Sequence, residues 1–397
     1  MRRGPFLVAL FLAALTLRAQ LVGIGPLLPL IKTDLGVSHA VAGLLGTIPV
    51  LCMGVFAPPA AYVAARIGAR NAVGAMVLII GVSGVFRAVA PGAPAVILLT
   101  IPIGMGMGLA GAMLPVTVKE RFPDRPGFAT GCYVAGMTIS SAISAALAIP
   151  LAHLGNGWRT PLLVYSAVSI GLGVVWFVLT RKEPRHERVA ARPLKLPLGN
   201  PLAWRFVAAF FFMSSVFYGL NAWLPDAYVE RGWSDSSAGD LLAILNTLNI
   251  PAGFCVAWAA DRWGQRRLWL AGAATGQLVG LVGILTVPSA GYLWAVVLGF
   301  AIGPLFPLTM TMPLDASEAP AEVASYTGMM LGIGYTLAAC SPLILGAIRD
   351  ETGGFDAVLW VLAGLALLQV LVDASLTPAR LAAARSSPRR PAPAASS

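Results

Sequence analysis

The chain reads as long apolar stretches separated by short polar breaks. Twelve apolar runs can be marked, at 6–31, 41–63, 72–90, 94–117, 128–153, 160–180, 205–228, 238–260, 268–288, 292–314, 323–348 and 356–376. A helix needs about 20 apolar residues to cross a bilayer core. The ten-residue alternation of a membrane β-barrel is missing from the pattern. The runs therefore predict an all-α integral membrane protein of twelve helices. Met1-Arg2-Arg3 before an apolar run mimics a signal peptide. That run resumes past Arg18 and reaches Ile31 with no A-x-A site, so it reads as a retained first span.

Composition agrees. Of 397 residues, 57% are apolar and 11% charged, against about 45–50% and about 25% in soluble domains. This excludes a soluble enzyme, a disordered scaffold and a single-pass receptor. The longest polar stretch, Thr180 to Arg205, divides the chain. It gives a six-helix half at 1–180, a linker at 181–204 and a second half at 205–377. The Ala/Pro/Arg/Ser-rich tail at 378–397 has the composition of a disordered segment.

The net charge of +10 is a topology signal. With the N-terminus inside, 21 of the 27 basic residues fall on the cytoplasmic side, as the positive-inside rule expects. Five lie at the outer side: Lys32, Arg87, Arg159, Arg231 and Arg349. Arg18 alone is deep. No aromatic-studded basic patch for nucleic acid appears.

The halves repeat at an offset of 196. Pro29 matches Pro225, Gly36 Gly232, Ser38 Ser234, Ala42 Ala238 and Gly43 Gly239. Ala61 matches Ala257, Arg66 Arg262, Gly68 Gly264 and Arg70 Arg266. A duplicated six-span half is the parallel repeat of the major facilitator fold, with a site near the midplane between halves. The loop at 257–266, A-W-A-A-D-R-W-G-Q-R, resembles that superfamily's G-x3-D-R-x-G-R-R signature. The resemblance implies a charge cluster of Asp261, Arg262 and Arg266 that biases conformation, with Gly264 allowing the tight turn. The first copy, A-Y-V-A-A-R-I-G-A-R, keeps Arg66, Gly68 and Arg70 but has Ala65 in place of the acid.

Two further stretches resemble the cyanate and 2-nitroimidazole transporter family. Residues 17–30 read L-R-A-Q-L-V-G-I-G-P-L-L-P-L, and 114–137 read L-P-V-T-V-K-E-R-F-P-D-R-P-G-F-A-T-G-C-Y-V-A-G-M. Trp158-Arg159 before the sixth span extends the likeness. Thr16, Ala19 and Gly111 depart from residues often found in that family. The resemblance implies a multi-pass transporter of the bacterial inner membrane, with both termini cytoplasmic. It acts on a small-molecule substrate, with a coupled proton or counter-solute as a further partner, and works as a monomer in the lipid bilayer.

Arg18 is the leading candidate for chemistry. It sits about 18 Å along a roughly 30 Å core at 1.5 Å per residue. A guanidinium there costs about 2.5–3.5 kcal/mol even on the mild insertion scale, so it should face the protein or a wet cavity. Its planar donors suit oxygen-bearing anions. A structural pair with helix carbonyls or an acid is the competing reading. No acid stands in the middle of spans 1, 4, 5, 8, 10 or 11. A lone cation without acids favours an anionic solute. Asp226, towards the outer end of span 7, is the candidate for proton coupling, against a plainer role as a cap or loop acid.

Helical spacing supplies further candidates. Tyr133 and Met137 share a face of span 5 with Ser141, and Tyr326 and Met330 repeat the spacing in span 11. Tyr218, Asn221 and Trp223 lie in span 7, and Asn246 and Asn249 in span 8. Core packing or interhelical hydrogen bonds compete for each. Gln20 points about 200° from Arg18. Arg87 reads as snorkelling to the outer interface. Gly104, Gly106, Gly108 and Gly111 allow close helix approach, not a phosphate loop.

No cofactor is implied. His39, His153 and His186 are too scattered for a metal site, and Cys52, Cys132, Cys255 and Cys340 read as small packing residues in apolar runs. An exporter of nitroheterocycles or other drug-like compounds is the alternative function. A membrane enzyme or sensor lacks a nucleophile, a metal set or an added soluble domain.

Overall fold

The computed structural model describes residues 3–37, 39–181, 196–317 and 319–377. The tail and most of the linker lie outside them. The described residues form fifteen helices and no strand. The first half holds α1 (Arg3–Val22), α2 (Leu28–Leu35), α3 (His39–Phe56), α4 (Ala60–Ile67), α5 (Ala69–Val89), α6 (Ala93–Arg121), α7 (Pro126–His153) and α8 (Arg159–Leu179). The second holds α9 (Pro201–Glu230), α10 (Asp235–Trp263), α11 (Arg266–Thr286), α12 (Gly291–Ala316), α13 (Pro320–Ala338), α14 (Ser341–Thr352) and α15 (Phe355–Ser375).

Eleven of the resulting segments are long and apolar enough to cross a membrane, and the shorter Gly43–Phe56 brings the spans to twelve. The count matches the twelve apolar runs, but three spans are broken. Span 1 divides into α1 and α2 through a 3₁₀ turn at Gly25–Leu27. Pro26 has no N–H to continue the ladder, and Gly23 and Gly25 weaken the helix around it. Span 2 divides into α3 and α4 at Ala57-Pro58-Pro59. Span 11 divides into α13 and α14 at Ala339-Cys340. Elsewhere local signals hold: Asn200 caps α9 through Leu202 N at 2.9 Å, and Ser234 caps α10 through Ser237 N at 3.2 Å.

The glycines of span 4 bring helices together as expected. A Cβ at Gly104 would stand 2.6 Å from Cys52 Cβ, and one at Gly108 would stand 2.9 Å from Met53 Cα. Gly106 meets Ile80 of span 3 in the same way, at 2.7 Å. Gly111 is the exception, with nothing within 4 Å. The cysteines are only partly packing residues: Cys52 and Cys132 are half-buried, whereas Cys255 and Cys340 are exposed.

Three apolar cores show how the halves meet. One core draws residues from both halves, from Phe6 and Ala60 to Leu314 and Met330. The other two are confined to one half each. One runs from Ile24 to Tyr165, and the other from Val216 to Ala366. The shared core lies towards the end that carries the 66–70 and 257–266 loops, called here the linker end. The separate cores lie towards the far end. The shared core therefore joins the halves at the linker end, and at the far end each half has a core of its own.

Candidate functional site

Arg18 lies on α1, one turn before the break in span 1, and is partly buried. It reaches across to the other half. Nη1 donates to Tyr218 Oη at 3.3 Å and Nη2 to Tyr335 Oη at 3.5 Å. Both bonds are long. Both hydroxyls accept from Arg18, and neither donates to a protein acceptor among the described residues. No described carboxylate pairs with Arg18 either. The result is a cation beside two unused O–H donors, a donor-rich and acceptor-poor spot between the halves.

Tyr335 continues into a pocket with walls from both halves. Met53, Met107, Gly108, Gly111, Tyr133 and Met137 supply one side. Phe306, Met310, Leu331 and Tyr335 supply the other. The open space beside Gly111 belongs to this pocket, and methionine thioethers give it an adaptable, polarisable wall. Tyr133 is 2% exposed, and its hydroxyl has no hydrogen-bond partner among the described residues.

The residues named from sequence divide. Tyr133 and Met137 line the pocket, and Tyr218 holds Arg18. Asn221 and Asn246 bond to each other at 3.0 Å, one turn beyond Tyr218 on α9. Asn246 also bonds the Leu242 carbonyl, and Asn221 the Phe217 carbonyl. Asn249 is buried, with its Oδ1 unpartnered among the described residues, and packs its backbone against Gly303 of α12. Tyr326 and Met330 stand apart from the pocket. Tyr326 Oη accepts from Asn200 Nδ2 at 2.8 Å near the start of α9, and Met330 is packed in the shared core. Their i, i+4 spacing marks the buried face of α13, which at that level meets α9 rather than the cavity. Asp226 is exposed near the far end of α9.

Tyr335 was missed from sequence. It is 317 positions from Arg18, and five residues beyond Met330 it falls off the i, i+4 stripe. Arg87 needs correction: it is 0% exposed and does not snorkel. Its acceptors lie on helices distant in sequence. Gln20 does face away from Arg18, and bonds Arg87 and Ser166 instead.

The loop motif closes the linker end. Asp261 accepts from Gly127 N at 3.0 Å and Phe128 N at 2.5 Å. Those are the first free N–H groups of α7, in the opposite half, where a carboxylate also meets the helix dipole. Arg266 pairs with both Asp261 and Asp315. Gly264 (φ +71) and Gly68 (φ +81) make the turns, at backbone angles that glycine adopts without strain. Arg70 bonds Thr180 Oγ1 at 3.0 Å and the Phe177 carbonyl at 3.3 Å, within its own half. Arg66 lies over the Tyr62 ring, and Arg262 is exposed.

A twelve-span helical pair of halves around a central site defines a membrane transporter, not an enzyme. The chain belongs to the major facilitator superfamily, whose family model matches residues 7–339 and 228–396. It is 30% identical to the 2-nitroimidazole transporter of Escherichia coli (strain K12), covering 93% of this chain and 94% of that protein. It is also 30% identical to the cyanate transport protein CynX of the same organism, covering 88% and 91%. Among solved structures it is similar to the proton:xylose symporter XylE bound to 6-bromo-6-deoxy-D-glucose. That match has a TM-score of 0.76 at 14% identity, over 93% of this chain and 94% of that one.

Proposed function

We propose that the chain is a secondary active transporter that moves a small anionic or polar solute, cyanate-like or an organic anion, by alternating access. The carrying observation is the donor set: the Arg18 guanidinium with two tyrosine hydroxyls that accept from it and donate to no group among the described residues. A tyrosine oxygen that accepts keeps its own proton free. An anion between the halves can take all three donors, each charge-assisted bond being stronger than a neutral one. Asn221 and Asn246 add neutral polar groups on the far-end side, and Tyr133 and Met137 meet the rest of the solute.

The basic, linker-bearing end faces the cytoplasm of a bacterial inner membrane, which puts both termini inside. The far end is then the external side, where the entrance lies, and Asp261, Arg266 and Asp315 hold the internal side shut. The chain works as a monomer. The 1–180 and 205–377 halves rock about the site while the 181–204 linker joins them.

A second reading, export of nitroheterocycles, is favoured by the methionine and aromatic wall next to Tyr335. A nitro group presents two coplanar oxygens to the same donors.

The experiment is transport of cyanate and of 2-nitroimidazole in proteoliposomes, in both directions, with Arg18→Lys and Arg18→Gln. At least a tenfold loss in Arg18→Gln, with partial activity in Arg18→Lys, supports the assignment. Unchanged affinity and rate in both variants would remove Arg18 from the site.

A further inference from the structure

Arg87 stands in the last turn of α5, outside the central pocket, and is wholly buried. No carboxylate among the described residues pairs with it. Its partners are neutral: Nη2 donates to Gln20 Oε1 at 2.6 Å and to the Gln20 carbonyl at 3.2 Å, and Nη1 reaches Thr100 Oγ1 at 3.5 Å. Gln20 Nε2 donates onward to Ser166 Oγ at 2.8 Å. Gly84 makes the room, since a Cβ there would stand 2.6 Å from Gln20 Nε2 and 2.4 Å from Ser166 Oγ. Burying a guanidinium without a counter-ion is costly. Its position shows what offsets that cost.

The last helical bond of α1 runs from Gly23 N to the Ala19 carbonyl, at 3.1 Å. The Gln20 carbonyl is therefore the first that the broken helix leaves without its own N–H. The same helix end carries partial negative charge. Arg87 answers both with one group, and it does so two residues from Arg18. The other half offers a control. At the 196-residue offset Arg87 becomes Gly283 and Gln20 becomes Val216. There α9 runs unbroken from Pro201 to Glu230. The buried arginine occurs in the half whose first span is broken.

We propose that Arg87 is a positioning residue for Arg18. By capping the broken end of α1 through Gln20, it fixes the height and facing of the Arg18 guanidinium between Tyr218 and Tyr335. This rests on the reading of Arg18 as the solute's partner, but its test needs no solute.

The full chain in lipid nanodiscs is treated with phenylglyoxal, which modifies accessible guanidinium groups. The rate at Arg18 is read by peptide mass spectrometry against Arg349 as an internal reference. Backbone hydrogen exchange is followed at 21–25 and at the matching 217–221 of α9. Arg87→Gln is expected to raise exchange at 21–25 at least tenfold and to change the Arg18 labelling rate at least threefold. Arg349 labelling and exchange at 217–221 stay as in the parent. Arg87→Lys, which can still donate to the Gln20 carbonyl, restores most of both readouts.

If Arg87→Gln does not insert, Gln20→Leu and Thr100→Val each remove one partner and carry the same test at smaller amplitude. Unchanged Arg18 labelling overturns the proposal. So does exchange that rises equally at 21–25 and 217–221, which marks general loosening. Arg18 labelling that follows Arg87, together with normal transport by Arg18→Gln, keeps Arg87 as the cap and discards only the functional reading of Arg18.

Discussion

Ala65, Arg70 and Lys119 of the first half match Asp261, Arg266 and Asp315 of the second at the 196-residue offset. One set holds two bases and no acid, the other two acids and one base. In the second half Arg266 ties both acids together, and Asp261 crosses to the start of α7. In the first half Arg70 turns to its own span 6, and Lys119 Nζ crosses to the Leu314 carbonyl at 2.9 Å. Leu314 lies near the end of α12. Each half thus sends a charge to a helix end of opposite sign in the other. The repeat keeps the turn, and divergence at three positions makes the copies complementary. Two identical copies would place like charges against each other.

The buried charged residues sharpen that contrast most. The first half buries Arg87 and the second buries Asp373, both at 0% exposure. Arg87 has three acceptor contacts, with only its Nε unpartnered, whereas neither carboxylate oxygen of Asp373 has a hydrogen-bond partner among the described residues. Arg87→Leu is expected to destabilise by about 1–3 kcal/mol, because it leaves the buried Gln20 acceptors unpaired. Asp373→Leu is expected to be neutral or stabilising by about 1–3 kcal/mol, because it removes an unsatisfied group. Reversible unfolding in bicelles measures both. A larger loss from Asp373→Leu than from Arg87→Leu breaks the comparison.

Closure of the linker end comes next. Asp261→Ala removes two helix-end bonds and one ion pair, and is expected to cost the closed state about 1–3 kcal/mol. Spin labels at the exposed Arg66 and Trp263 positions should show a second, longer distance. Ala65→Asp, placed in the half whose matching cluster lacks acids, should leave the distance distribution as it is. Equal effects from the two variants would mean the copies are interchangeable.

The smallest effect is at the far end. Asp34 and Glu230 match at the offset, and each meets the start of its half's last span. Asp34 Oδ2 accepts from Arg159 at 2.5 Å and Trp158 at 3.0 Å. Glu230 Oε1 accepts from Phe355 N at 3.4 Å. The hydrogen bond from Arg159, and then that from Trp158, hold the Asp34 carboxyl below its ordinary value. The folded state therefore gains stability from Asp34 above the ordinary aspartate range. It loses that gain as pH falls through the depressed value. The pair is solvent-exposed, so the gain is at most about 1 kcal/mol. Stability curves of the parent and Asp34→Asn should differ slightly near neutrality and converge below about pH 4. A gap that widens on acidification reverses the sign.

Much of this was legible in sequence, for identifiable reasons. Run length and the 196-residue offset exposed the spans and the loop copies, because both depend on local composition. Gly23, Gly25 and Pro26 were visible, but a hydropathy run does not register a missing N–H, so span 1 read as continuous. Arg87 was misread because its position near an outer helix end suggests snorkelling, while its acceptors sit on α1 and α6. Arg18 stood out because a membrane interior makes any charge conspicuous. Tyr218 was named as a candidate in span 7, but Tyr335 was not, because a tyrosine in an apolar run suits packing as well as a site. Tyr326 shows the converse, a spacing that suited the site and belonged to packing.

Ligand-dependent melting tests whether Arg18 is the solute's cation. Purified parent protein is titrated with cyanate, with benzoate as an organic anion, and with 2-nitroimidazole, beside Arg18→Gln and a Tyr218→Phe, Tyr335→Phe double variant. A ligand that binds the folded state raises its melting temperature with concentration. At least one of these ligands is expected to stabilise the parent. The same ligand should lose at least tenfold in apparent affinity in the tyrosine variant and more in Arg18→Gln. A ligand that stabilises Arg18→Gln as strongly as the parent, at the same concentrations, contradicts that role.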